Sequence, residues 1–273
     1  MSESRPIITL TSDHGYTDFY VAAVKGAIYA ELENIRLVDL SHGVQAFHLH
    51  QAAYIIKNAY KQFPQGTIHL IGIDSAFSEE QVHLALKCNG HYFVGSDNGL
   101  FSLVFPDIHP EKMVALTIAN EEDSLAFPMK DVLVRAACHI ARGGTLEVIG
   151  SKVSNWKELM PIKPVIASDN SSIRGSVIHI DHFGNVITNI TEDLFRKVKG
   201  KRDFEINLAR GQKIKKIASH YAQTKEEGNL VALFNSSGYL EIAMFRGVPK
   251  VSGTAQSLLG VKYRDPVQVI FST

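Results

Sequence analysis

The run Ile7-Ile8-Thr9-Leu10-Thr11-Ser12-Asp13-His14-Gly15-Tyr16-Thr17-Asp18 decides how the first half of this chain folds. Ile7 to Ser12 is apolar and rich in β-branched residues, and it reads as a buried strand. From Asp18 to Leu32 the spacing of Tyr20, Val21, Val24, Ala27 and Ile28 puts them on one helical face, with Thr17 or Asp18 able to cap its start. Between the two stand a carboxylate and a glycine, at a strand end where a polar ligand can meet exposed backbone and acidic acceptors.

Working outward, Ile35 to Leu40 reads as a second strand, Phe47 to Phe63 as a second helix, and Thr67 to Ile73 as a third strand that delivers Asp74 at its C-terminal end. Val82 to Cys88 and His91 to Gly95 form a hairpin around Asn89-Gly90, and Met113 to Ile118 is a further strand. Lys130 to Arg142 is a helix stopped by Gly143-Gly144. Such alternation predicts an α/β N-terminal domain over residues 1–165, a mostly parallel sheet flanked by helices. Periodicity fades between Val153 and Ser172, where Pro161, Pro164 and the polar run Ser168 to Ser172 mark a linker. Beyond it, Ser176 to Ile180, Val186 to Ile190, Asp203 to Ile206, Lys213 to Ile217, Leu230 to Phe234, Tyr239 to Met244 and Val267 to Phe271 are strand-like. They predict an all-β C-terminal barrel domain over 166–273.

Composition narrows the function class. Lys+Arg and Asp+Glu balance at 28 each, so no net field favours nucleic acid or an anionic membrane. A small, roughly neutral or zwitterionic ligand suits that balance. Cys88 and Cys138 are the only cysteines and lack CxxC spacing, which argues against a zinc knuckle or a disulfide framework. His42, His48 and His50 lack a third ligand at a known spacing, so no metal is expected. Met1 to Pro6 has no signal pattern and no apolar stretch approaches a membrane span, so a cytoplasmic protein is expected.

Neither a Walker A loop nor a G-x-G-x-x-G after the first strand is present, which disfavours a conventional Rossmann enzyme. Asp13 beside Gly15 offers two oxygens that can accept both hydroxyl protons of a ribose diol; the alternative is a turn or capping aspartate. Asp181-His182-Phe183-Gly184-Asn185 and Asn235-Ser236-Ser237-Gly238 are, taken alone, turns between strands.

Together these segments resemble the family that attacks S-adenosylmethionine at its ribose C5′: the hydroxide adenosyltransferases, the fluorinase and the chlorinase. Asp13 and Asp18 stand in that family's Asp-x-Gly-x-x-Asp pattern, Ser41-His42 in its Thr/Ser-His element, and Phe47 at a site-lining position. Ser96-Asp97-Asn98-Gly99-Leu100 resembles its Pro-Asp-Asn-Gly-Leu turn, with Asn98 a ligand contact. The resemblance implies that Asp13 holds the ribose and that Asp181, Phe183, Asn185, Tyr221, Asn235, Ser236 and Ser237 surround the adenine and the methionine. It implies a homotrimer with sites between subunits, and no cofactor beyond the substrate.

Of the family's catalytic Asp, Arg and His, Asp74 matches the first, while Gln81 stands at the arginine and Pro128 at the histidine. Asp74 is then the remaining base, with His83 on the strand face of Gln81 as a helper. Met129, where the fluorinase has a short polar residue, argues against halide. The expected activity is hydrolysis of S-adenosylmethionine to adenosine and L-methionine. The rival readings are an impaired adenosyl-binding or regulatory protein and a transferase using another nucleophile.

Overall fold

Strand β1 (Ile7–Ser12) forms where the opening run predicts it, and its neighbours fix the site. The computed structural model describes residues 5–78, 81–118 and 126–272, so residues 1–4 of the N-terminal stretch lie outside the described part. The chain divides into two units, the first ending at Pro161 and the second beginning at Ile162.

In the first unit, β1 is followed by α1 (Tyr20–Glu31), β2 (Arg36–Ser41), α2 (Leu49–Ala59), β3 (Ile68–Gly72), β4 (His83–Cys88), β5 (His91–Ser96) and α3 (Leu100–Val104). Then come β6 (Lys112–Leu116), α4 (Val134–Ala141), α5 (Leu146–Ile149) and β7 (Gly150–Lys152). They build a seven-stranded sheet in the order β2-β1-β3-β5-β4-β6-β7. Its first four strands are parallel, but β4, β6 and β7 pair antiparallel, so the sheet is mixed rather than mostly parallel. The cause is local. Asn89 (φ 52°) and Gly90 (φ 75°) take the positive φ of a two-residue hairpin turn, which makes β4 and β5 antiparallel neighbours.

Ile8, Leu10, Val24, Ile28, Leu133 and Ala137 belong to one buried cluster, and Ala52, Ile56, Tyr60, Phe93, Phe101 and Phe105 to a second. Two helix starts differ from expectation. Phe19, not Thr17 or Asp18, precedes α1, and no side chain caps it. Phe47 adopts φ 62°, which an α-helix cannot use, so α2 begins at Leu49 with His48 Nδ1 accepting from Gln51 N–H at 3.1 Å. Ahead of α4, Met129–Leu133 forms a π-type turn directly after Pro128.

The second unit contains β8 (Val165–Ile166), β9 (Ser172–Ile180), β10 (Val186–Thr191), α6 (Glu192–Lys199), β11 (Phe204–Asn207), β12 (Lys213–Ile214), β13 (Ile217–Ala218), β14 (Leu230–Phe234), β15 (Tyr239–Met244), α7 (Ala255–Leu259) and β16 (Pro266–Phe271). Its strands form one nine-stranded, predominantly antiparallel sheet. The unit is not all-β. Thr191 caps α6, Glu192 and Asp193 fill its first turn, and Arg196, Lys197 and Lys199 its last, each favourable to the helix dipole. Arg196, Lys197 and Lys199 thus belong to a helix whose Phe195 is buried. Among the described residues no helix is long and apolar enough to cross a membrane.

Candidate functional site

β1 and β3 are adjacent and in register, with Ser12 opposite Gly72, so Asp13 and Asp74 leave the sheet at neighbouring strand ends. Asp13 Oδ2 accepts the backbone N–H of Phe47 at 2.9 Å and of Asp74 at 3.3 Å. Both donors are non-glycine residues in the left-handed region, Phe47 at φ 62° and Asp74 at φ 43°. Backbone strain of this kind persists where the surroundings over-determine it, and here a carboxylate supplies the compensation. Asp13, His14, Tyr20, Phe47, Asp74, Phe127 and Pro128 line a cavity of about 380 Å³.

Gln81 also converges on this strand end. Its Nε2 donates to the Asp74 carbonyl at 2.7 Å and to the Ala76 carbonyl at 3.4 Å, so it braces the loop carrying Asp74. Asn98 Nδ2 donates to the Ile73 carbonyl at 2.9 Å and to that of Asp74 at 3.4 Å, while its Oδ1 accepts Leu100 N–H. Asn98 is buried and spends its polar atoms on the backbone, a bracing position. His83 does not share a strand face with Gln81, because β4 starts at His83 itself and Gln81 sits in a separate bridge with Ser78. Its Nε2 lies 3.2 Å from the Ser75 carbonyl, and burial pushes its pKa down. Pro128 is buried at the head of the π-type turn and lines the cavity, where it offers no proton-transferring group.

In the second unit, Asp181 closes its own turn. Oδ1 accepts Phe183 N–H and Asn185 N–H, both at 2.9 Å, and Oδ2 accepts Asn185 Nδ2 at 3.0 Å. Gly184, at φ 73°, is required there, since a Cβ would stand 2.5 Å from Thr254 Cβ. Phe183 is left 63% exposed, a large apolar ring without cover. Tyr221 Oη donates to Glu241 Oε1 at 2.8 Å and Asn235 Nδ2 to Glu241 Oε2 at 3.1 Å. Asn235 Oδ1 accepts Ser237 N–H and Tyr239 N–H, which shapes the loop carrying Ser236. The buried Glu241 joins Tyr221 to Asn235, and Asp181 is close enough to add to the burial that raises its pKa.

Three polar groups near these residues escaped the sequence reading of the site. Glu241 lies in the strand Tyr239 to Met244, where its inward face could be seen only from the strand register. Ser12 Oγ lies 2.6 Å from His42 Nδ1, His42 Nε2 lies 3.2 Å from Asp39 Oδ1, and Lys25 donates to Asp39 Oδ2 at 2.7 Å. That chain anchors the turn after β1, where Gly15 N–H reaches the His42 carbonyl at 2.9 Å. His14 is the third, half-buried between the rings of Tyr20 and Phe127.

Two family descriptions match this chain: SAM hydroxide adenosyltransferase N-terminal domain over residues 8–150 and SAM hydroxide adenosyltransferase C-terminal domain over residues 175–268. The chain is 29% identical to a (R)-S-adenosyl-L-methionine hydrolase of Methanocaldococcus jannaschii, covering 97% of this chain and 96% of that one. It is 29% identical to a protein of the same name from Thermus thermophilus, covering 97% and 100%. A fluorinase of Nocardia brasiliensis is 25% identical over 88% of this chain and 90% of its own. Among solved structures, an uncharacterized conserved protein from Thermotoga maritima superposes with a TM-score of 0.85 at 26% identity, covering 96% of this chain and 99% of that one.

Proposed function

The chain belongs to the SAM hydroxide adenosyltransferase family, and on that premise we propose that it hydrolyses S-adenosylmethionine to adenosine and L-methionine by attack of water at the ribose C5′. The observation that carries the reading is the meeting of Asp13, Phe47 and Asp74 around one cavity in a chain whose full-length relatives bear the hydrolase name. Asp13 spends Oδ2 on two backbone N–H groups and keeps Oδ1 for a ribose hydroxyl. Phe47, 70% exposed on a strained backbone, is the ring that covers the sugar.

The leaving group is a neutral thioether, which needs no protonation, so the protein's task is to position water and take its proton. Asp74 stands nearest the water in this reading and positions it. The methionine and adenine ends go to Asp181, Phe183, Asn185, Tyr221, Asn235, Ser236 and Ser237. Phe183 supports this, because an uncovered ring on a glycine turn is suited to pack on a ligand. We further propose a homotrimer in which the two residue sets of one site come from different subunits, working without a cofactor. Two buried free thiols, Cys88 and Cys138, fit a reducing cytoplasm.

A second reading, an adenosyl-binding protein without turnover, is favoured by Gln81 and Pro128. One is committed to backbone carbonyls, and the other has no proton to move. Chromatography of the purified protein incubated with S-adenosylmethionine separates the two. Hydrolysis gives adenosine and methionine in equal amounts, reduced by Asp74→Asn; retained substrate with tight adenosine binding selects the second reading.

A further inference from the structure

Pro128 leaves the cavity without the family's histidine, yet the cavity does contain an imidazole. We propose that His14 accepts the proton of the attacking water, an inference that rests on the hydrolase reading and names the base of that same site. His14 lines the cavity together with Asp13, Asp74 and Pro128, and its ring packs edge-on against Phe127, the residue just before Pro128, with centroids 5.4 Å apart. The imidazole therefore approaches the segment from which the family's histidine would come, but from the turn after β1.

The environment of the ring supports a neutral, available base. Nδ1 is buried without a hydrogen-bond partner among the described residues, while the ring as a whole is only half-buried. With Nε2 the accepting nitrogen, the neutral ring carries its hydrogen on Nδ1. The groups facing the ring are Asp13 from its own turn, His42 after β2, Tyr20 of α1 and Phe127, with Asp74 across the cavity. Burial and the nearby His42 lower the His14 pKa more than Asp13 raises it. An imidazole titrating below about 6.5 is neutral at pH 7 and able to accept a proton.

The step balances without a co-reactant. A water lone pair forms the O–C5′ bond, and the C5′–S bond breaks with its electron pair passing to sulfur, so the sulfonium becomes the thioether of methionine. The water proton goes to His14 Nε2 and then to solvent.

The test is the pH profile of kcat for wild type, His14→Gln and His14→Asn, with adenosine titration on each to show that the pocket is intact. Wild-type kcat is expected to fall on the acid side, below about pH 6.5, as the imidazole protonates. Both variants are expected to bind adenosine within a few-fold of wild type, lose ~10²–10⁴-fold in kcat and lose that limb. Variants that keep wild-type kcat, or keep the limb, overturn the assignment to His14 while leaving hydrolysis standing. Should neither variant fold, a wild-type kcat flat across that pH range overturns it. A wild type that binds adenosine and never turns over S-adenosylmethionine overturns the hydrolase reading and this inference with it.

Discussion

Asp13 carries two jobs at once, and its substitution is expected to expose both. It anchors the strained N–H groups of Phe47 and Asp74, and in the proposed reaction it receives a ribose hydroxyl. Hydrogen bonds to a charged group are worth about 1.5–3 kcal/mol each, so Asp13→Asn should weaken adenosine binding roughly 10- to 100-fold. Isothermal titration reads this directly, and an unchanged affinity assigns Asp13 to the turn alone. Phe47 gives a sharper contrast. Its ring is 70% exposed, so Phe47→Gly forfeits little burial and releases a left-handed strain of about 1 kcal/mol or more. The variant should keep its urea midpoint while KM for S-adenosylmethionine rises; a lowered midpoint with unchanged KM contradicts the proposed role of the ring. That Asp13, Phe47 and Asp74 come together at one cavity was legible because motif positions carry residue identity. Neither Glu241 nor His14 was read as a site residue, because an inward-facing strand carboxylate and a half-buried ring are defined by neighbours distant in sequence.

At the scale of elements, the loops after β1 and β3 and the turn before α4 converge because Gly72 lets them. A Cβ there would stand 2.1 Å from Met129 Sδ, on a methionine that is fully buried. Gly72→Ala should therefore cost about 1–3 kcal/mol by overpacking, measured as a fall in urea midpoint at constant m. The pairing of Gln81 and Pro128 can be reversed at the same place. Gln81→Arg with Pro128→His restores the family's side chains beside Asp74 and should raise kcat for hydrolysis. A folded, adenosine-binding double variant with no gain counts against the geometry assumed for water attack. The elements show where sequence reading succeeds and stops. The apolar spacing of β1 and α1 and the Asn89-Gly90 hairpin were readable locally, whereas the antiparallel run that the hairpin begins emerges only when β6 adds to β4 and β7 to β6. Helix α6 was missed although Thr191, Glu192 and Asp193 form its start signal, because its surroundings read as strands.

For the whole molecule, acid stability follows from what the first unit buries. His69 is fully buried, its Nδ1 2.7 Å from Thr9 Oγ1 and its Nε2 3.2 Å from His91 Nδ1, and burial pushes its pKa down to about 3. Unfolded, the same group titrates near 6.5. Stability from keeping it neutral is thus complete above about pH 6.5 and lost as pH falls toward 3, by up to about 1.4 kcal/mol per pH unit. The urea midpoint of wild type should fall across that window, and His69→Leu, whatever its absolute stability, should show a shallower slope; equal slopes contradict the assignment. Light scattering should return three times the 30.2 kDa chain mass if the site is shared between subunits. A monomer that still turns over contradicts shared sites.

The central claim is that water attacks C5′, and oxygen-18 water tests it most directly. S-adenosylmethionine incubated with the protein in labelled water should give methionine and adenosine carrying one label in its 5′-hydroxyl, with Asp74→Asn slower. Unlabelled adenosine, a different 5′-substituted nucleoside or intact substrate beside tightly bound adenosine would contradict it.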